Sequence, residues 1–361
     1  MNNILTELLL VTSCSFIAAW AFFPVLIKLS PLLGLVDAPD YRKVHQQPIP
    51  AIGGLVIGNS LVPAAIVSPL LRSFIAAHPA LVVTMFILLV TGMADDRCQL
   101  PAKLRLLIQL GCAAWMAGVG VRLESLHGLL GIYQLPVTVS WLLTILVITG
   151  VTNAFNLIDG IDGLAGSLSL ANIVLLGIMS VAMHMYSWLL LLLPLAAGLV
   201  VFLKYNWRPA KVFMGDGGSL LLGFVIAALG VYFIKEGSRV TLFTGKCVTV
   251  VVTACCMIPV ADALRVFYGR IKKGVSPFRA DRTHLHHLLL KHHLAHSRAT
   301  MRLLTMHVSL VLLSAAASCF VSVPIIILAQ AVTVLLYVGW VRMMYFFQHW
   351  YRFIKKTELA G

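Results

Sequence analysis

Charge is what this sequence is short of. Only 11% of its 361 residues are Asp, Glu, Lys or Arg, while 60% are apolar; a soluble domain carries roughly 25% charged residues. Too few charges exist to clothe a water-soluble globule of this size, so lipid must cover most of the outer surface. Acids are scarcer still, 13 against 27 Lys and Arg. Cysteine supplies no disulfide framework: Cys14, Cys98, Cys112, Cys247, Cys255, Cys256 and Cys319 include no C-x-x-C pair. Most of them lie inside apolar stretches and read as small buried hydrophobes. No soluble domain, low-complexity tract or short-period repeat is visible.

What is there is a series of apolar runs. Eleven are readable, near 5–27, 51–71, 79–94, 104–121, 136–154, 165–183, 187–203, 219–234, 246–262, 303–322 and 324–345. Backbone in lipid must satisfy its own hydrogen bonds, so each run is expected to be a helix. The third and seventh are short enough to be tilted or partly re-entrant. The expectation is an all-α polytopic membrane protein with about eleven transmembrane helices, forming one integral-membrane domain over 1–361. The polar insert at 263–302 is its one long cytoplasmic loop.

Met1–Thr6 carries no basic residue, and the first cation is Lys28, behind the first run. That pattern predicts a retained helix rather than a cleaved signal. Basic residues behind it place that end in the cytoplasm and the N-terminus outside. Alternating sides then gathers about 22 of the 27 Lys and Arg on the cytoplasmic face and leaves about five outside. The Arg352–Lys356 tail falls in the cytoplasm. Topology and anionic lipid explain the formal charge of +14, so nucleic acid is not needed as a partner.

The acids sit at the mouths of the runs. Asp37, Asp40, Asp95, Asp96, Asp159, Asp162, Asp216, Asp262 and Asp281 all fall on the expected cytoplasmic face. Glu7, Glu124 and Glu236 fall on the other. Any one acid can simply cap a helix or pair with a neighbouring cation. Nine on one face point to function, because ionisable groups beside lipid are costly. Aspartates with Lys and His alongside suit magnesium-dependent phosphoryl transfer, which works by positioning and charge neutralisation. A transporter would instead bury its acids near the bilayer midplane.

Four segments carry that chemistry. Val212-Phe-Met-Gly-Asp-Gly-Gly-Ser219 pairs a glycine turn with Asp216 before a helix, where Ser219 can cap and N–H groups can meet phosphate. Asn153-Ala-Phe-Asn-Leu-Ile-Asp-Gly-Ile-Asp-Gly-Leu164 sets two amides and two acids at near-helical spacing, oxygen donors suited to magnesium; an Asx-rich turn is the plainer reading. Asp95 and Asp96 repel one another and need a cation or a proton between them, while Lys103 and Arg105 nearby suit a pyrophosphate. Asp281-Arg-Thr-His-Leu-His-His287 lies in the insert. Its histidines lack the Cys or H-E-x-x-H pattern of a zinc site, so phosphate or sugar contact is the better reading. His292, His293 and His296 are expected to be solvated.

In this order the motifs resemble the polyprenyl-phosphate N-acetylhexosamine-1-phosphate transferase family, from about Gly34 to His287. Arg42-Lys43-Val44-His45, Pro48, Pro50, Gly53, Gly54, Pro259, Asp262, Arg270 and Ser276-Pro-Phe278 belong to the same likeness. The branch most similar is the undecaprenyl-phosphate N-acetylglucosamine branch, which starts O-antigen and enterobacterial common antigen lipopolysaccharide synthesis in the bacterial inner membrane. The resemblance implies UDP-N-acetylglucosamine and undecaprenyl phosphate as substrates, with magnesium or manganese. It implies Asn156 and Asp216 as metal ligands and Lys103 on the diphosphate. Asp162 would lie near the uracil, Asp95 and Asp96 would orient or deprotonate the lipid phosphate, and Asp159 would support them. Arg270, Arg279, Arg282, His284, His286 and His287 would contact sugar or phosphates. Gln99 departs from the family's D-D-x-x-D and puts a role for that third position in doubt.

The expected reaction is a single displacement on the β-phosphorus; a two-step route through an aspartyl-phosphate stays open. The rival readings are the phospho-MurNAc-pentapeptide branch and, from another class, a lipid-linked sugar transporter. The sequence leaves the oligomeric state open, a homodimer included.

Overall fold

The computed structural model describes residues 2–37, 48–276, 283–292 and 294–358. Most of these are helical. In order they form α1 (Asn2–Leu33), β1 (Val36–Asp37), β2 (Ile49–Pro50), α2 (Gly53–Asn59), α3 (Leu61–Val67), α4 (Pro69–Ala77), α5 (Pro79–Cys98), α6 (Ala102–Gly118) and α7 (Val137–Ile158). Then follow α8 (Leu164–Ala182), α9 (Leu189–Asn206), α10 (Gly215–Val240), α11 (Leu242–Lys272), α12 (Leu285–Lys291), α13 (His296–Ala317) and α14 (Val323–Glu358). The two short strands pair antiparallel, Val36 opposite Pro50.

All eleven apolar runs fall on helices, and nine of those helices are long and apolar enough to cross a membrane. The other two differ from simple spans. The second run is broken at Ser68 into segments bent by 118°. Pro69 cannot donate a helical hydrogen bond and forces Ser68 out of the helix, and the Ser68 Oγ accepts from Leu71 N at 3.1 Å to start α4. The fourth run forms α6, whose 17 residues rise about 26 Å. The third and seventh runs are not truncated: α5 has 20 residues and α9 has 18. The ninth run continues as α11 through ten residues assigned to the loop, as far as Lys272.

Contacts at the two ends fix the direction of each pass. Glu7 near the start of α1 touches Ser68, while Glu124 just after α6 meets Lys235 near the end of α10. At the opposite end the starts of α2 and α10 share two hydrogen bonds, Gly53 N to Phe213 O and Gly54 N to Met214 O. Among the described residues nine helices, or ten passes if the bent pair counts as one, are long and apolar enough to span, and Val341 of α14 accepts from His292. α10 lies at the centre, almost wholly buried, and packs on α2, α5, α7, α8 and α11.

Hydroxyls inside the bundle bond back one turn, as with Thr84 to Ala80 O and Thr152 to Ile148 O, both at 2.7 Å. Polar links between helices are few. His307 Nε2 lies 2.8 Å from Asn172 Oδ1, and Gln330 donates to Val250 O at 2.8 Å.

Candidate active site

The site grows from the start of α10. Its first N–H groups need acceptors, and Asp96 in the last turn of α5 supplies them. Asp96 Oδ1 accepts from Asp216 N at 2.9 Å and Oδ2 from Gly217 N at 3.4 Å. The helix start expected to meet a phosphate thus faces a carboxylate. Ser219 does not cap: it lies inside α10, bonding Gly215 O at 3.2 Å. Glycine is required at Gly215, where φ is +72° and an added Cβ would stand 2.5 Å from Asp96 Oδ2. It is required again at Gly92, where a Cβ would come within 2.3 Å of Gly217 N.

Three aspartates and an amide meet here. Asp95 is buried and pairs with Arg105 from the first turn of α6; the same Arg105 Nη1 lies 3.0 Å from Asp216 Oδ2. Asp216 Oδ1 accepts from Asn156 Nδ2 at 2.7 Å, and Asn156 also donates to Ser219 Oγ at 2.9 Å. Asn153, the other amide of its segment, turns aside to Gln109 of α6. Among the described residues no three His, Cys, Asp or Glu side chains are arranged so that all of them could hold one metal ion. The donors beside Asp216 are all oxygens once the Asn156 amide makes a half-turn about χ2. Such a set fits a hard cation that keeps water or phosphate in its shell.

Asp96 and Asp216 open onto a cavity of about 610 Å³, lined also by Asp37, Asp159, Asp162, Asn206, Arg208, Phe213, His287 and His296. Asp159 caps the end of α7; burial, then the charge of Asp96, pushes it up to about 7. For Asp162 burial opposes ionisation, but the His296 contact at 3.2 Å and the Ala210 N–H outweigh it and hold the carboxyl below its ordinary value. Asn206 fastens the two loops of this wall, accepting from Gly163 N and donating to Val212 O, each at 2.8 Å.

The histidine segment is anchored by Asp262. Its Oδ1 meets Arg265 Nη2 at 2.5 Å and its Oδ2 meets His284 Nδ1 at 2.9 Å, while the Leu285 N–H that opens α12 bonds both oxygens. His286 is buried behind the cavity against Gly160, where a Cβ would stand 2.2 Å from its Nε2. Burial, then the neighbouring His287 and His284, pushes His286 down to about 3, so its ring is neutral.

Of the residues named from sequence, Asp95, Asp96, Asn156 and Asp216 form one cluster, with Asp159, Asp162 and His287 along the adjoining cavity. His284 and His286 are buried and do not line that cavity. Arg270 is buried in the last turn of α11, 5.9 Å from the ring of Phe267. Lys103 is exposed on the first turn of α6 and makes no ion pair among the described residues. Arg279, Arg282, Asp40, Asp281 and His293 lie outside the described residues. His292 and His296, expected to be solvated, instead bond Val341 O at 2.8 Å and contact Asp162. Sequence reasoning missed the anchoring by Arg265 and Asn206. The one available signal was a polar side chain closing an apolar run.

Residues 78–234 match glycosyl transferase family 4. The chain is 35% identical over 286 residues to the undecaprenyl-phosphate alpha-N-acetylglucosaminyl 1-phosphate transferase of Haemophilus influenzae, covering 77% of this chain and 78% of that protein. It is 31% identical over 286 residues to a probable undecaprenyl-phosphate N-acetylglucosaminyl 1-phosphate transferase of Bacillus subtilis, covering 77% and 76%. A decaprenyl-phosphate N-acetylglucosaminephosphotransferase of Mycolicibacterium smegmatis is 29% identical over 310 residues, covering 80% and 76%.

Proposed function

The chain belongs to glycosyl transferase family 4, and from that premise we propose that it transfers N-acetylglucosamine 1-phosphate from UDP-N-acetylglucosamine to undecaprenyl phosphate. A lipid-phosphate oxygen forms a bond to the β-phosphorus, the bond from that phosphorus to the bridging oxygen breaks, and UMP leaves. The observation that carries this reading is the meeting of Asp95, Asp96, Asn156 and Asp216, from three helices, at one end of an apolar bundle and beside a nucleotide-sized cavity. One substrate then arrives from water and the other from lipid.

Asp216 and Asn156 would hold magnesium or manganese, whose charge would stabilise the diphosphate as it breaks. Asp96 fixes the start of α10 and faces the cavity, where it orients the acceptor phosphate. Asp159 gains or loses its proton near neutral pH and serves as the adjoining proton acceptor. Asp162, held ionised by His296 and the Ala210 N–H, offers an acceptor to the imide N–H of uracil. Lys103 and His287 take the phosphates and sugar.

The basic excess read from the sequence supports a cytoplasmic site and a periplasmic N-terminus by the positive-inside rule, and the bacterial relatives support the inner membrane. The D-R-x-H-x-H-H form of the insert favours the N-acetylglucosamine branch, and with it the first membrane step of O-antigen and enterobacterial common antigen synthesis. A detergent assay of UMP release tests the reading. Release should require UDP-N-acetylglucosamine, undecaprenyl phosphate and magnesium together. Preference for UDP-MurNAc-pentapeptide, or transport across vesicles without UMP, would refute it.

A further inference from the structure

Arg105 does something that neither its motif nor the reaction requires of it. Its guanidinium reaches from α6 between α5 and α10, touching Asp95 Oδ2 and lying 3.0 Å from Asp216 Oδ2, a residue 111 positions away. Asp96 spends both its oxygens on the α10 N–H groups, and Asp216 Oδ1 is engaged by Asn156. Among the described residues Arg105 is thus the side-chain cation in contact with the cluster, since Lys103 and Arg97 are exposed nearby without an ion pair. Asp95 and Asp216 would repel one another without it. Both contacts run through Nη1, whose two protons can serve two carboxylates at once.

We propose that Arg105 is a built-in counter-ion that competes with the divalent cation for Asp216 and so sets how tightly that cation is held. The inference rests on the reading of Asp216 as an ion ligand. A guanidinium and a divalent ion cannot both take Asp216 Oδ2, and their mutual repulsion is strong in a partly buried site. Binding of the ion therefore costs the Arg105–Asp216 contact. Arg105 keeps Asp95, so it stays as a tether while Asp216 changes partner. Its role is positioning: it holds two helices in register before the ion arrives and weakens the ion's grip afterwards, which lets the ion leave with the nucleotide.

The test is a manganese titration of the full-length protein in detergent, reading free Mn2+ by electron paramagnetic resonance, with magnesium as competitor. Arg105→Gln should bind Mn2+ more tightly than wild type, by roughly tenfold, because the competing charge is gone. Arg105→Lys, which keeps the charge but not the position of Nη1 between the two carboxylates, should fall between them. Asp216→Asn should bind no ion at this site. If Asp216→Asn binds like wild type, the reading of Asp216 as ligand fails and this inference with it. If Asp216→Asn loses the ion while Arg105→Gln binds no more tightly, only the counter-ion role fails. Should Arg105→Gln not fold, Arg105→Lys decides: tighter binding supports the role, equal or weaker binding overturns it.

Discussion

At the far end of the bundle, Glu124 lies 2.8 Å from Lys235 and 3.7 Å from Arg122, and Glu236 lies 2.8 Å from Arg239. At the site end, Asp95 and Asp216 share one arginine, while among the described residues Asp96 and Asp159 make no ion pair. Glu124 and Glu236 are balanced where they stand: Glu124 is 45% exposed, and its hydrogen bond to Lys235 holds it below the usual glutamate range despite some burial. The acids of the site cluster are crowded and sheltered, and among the described residues Arg105 is the cation that touches Asp95 and Asp216. The first arrangement finishes a helix in water. The second stores negative potential that a cation can collect, at a cost in stability that the helices must carry.

The sharpest way to break that contrast is Asp216→Asn. Removing this charge should lower UMP release by about a thousandfold, comparable with deleting a central electrostatic group, while the protein still purifies as a folded species. Undiminished release would put the site elsewhere. Next in size is Asp262→Ala, which leaves Arg265 and His284 buried without their acid. Thermal unfolding in detergent should show a loss of roughly 3 kcal/mol, since stripping one partner from a buried ion pair is costly. An unchanged melting temperature would mean that the histidine segment is anchored by other contacts.

A third prediction turns on pH. Asp159 is raised from its ordinary 3.8 to about 7, so the folded protein holds that proton more firmly than the unfolded chain. Its stabilising contribution is complete below about pH 4 and is lost as pH rises through about 7. Asp159→Asn removes this loss. The melting temperature of the variant relative to wild type should therefore climb between about pH 4 and pH 7 and level off above that, and a flat difference would contradict the assigned shift. The smallest effect is expected across the bundle. Glu124→Gln should cost under about 1 kcal/mol and leave UMP release unchanged, because exposed pairs contribute little.

Which parts of this were legible in the sequence follows from the range of the interactions involved. Helices were, because an apolar run in lipid has one way to satisfy its backbone, and all eleven runs fall on helices. The break at Ser68 was not, since averaged hydropathy passes over a single Pro69. The ten-residue extension of α11 was hidden because Arg265 and Arg270 look like loop residues until the Asp262–Arg265 pair is seen inside the helix. Acids at helix mouths announced the site. Their partners did not: Asp96 meets the α10 start 120 residues on, Arg105 meets Asp216 across 111, and His296 meets Asp162 from another helix. A local reading of His296 sees only a basic stretch. Distance along the chain, rather than weak chemistry, concealed these contacts.

The central claim is that the aspartate cluster at the start of α10 is a divalent-ion site centred on Asp216. Anomalous scattering from crystals soaked in manganese addresses it most directly. One peak between Asp216 and Asn156 is the expected result; a peak confined to the His284–His287 segment, or to the Glu124 end, would contradict the account.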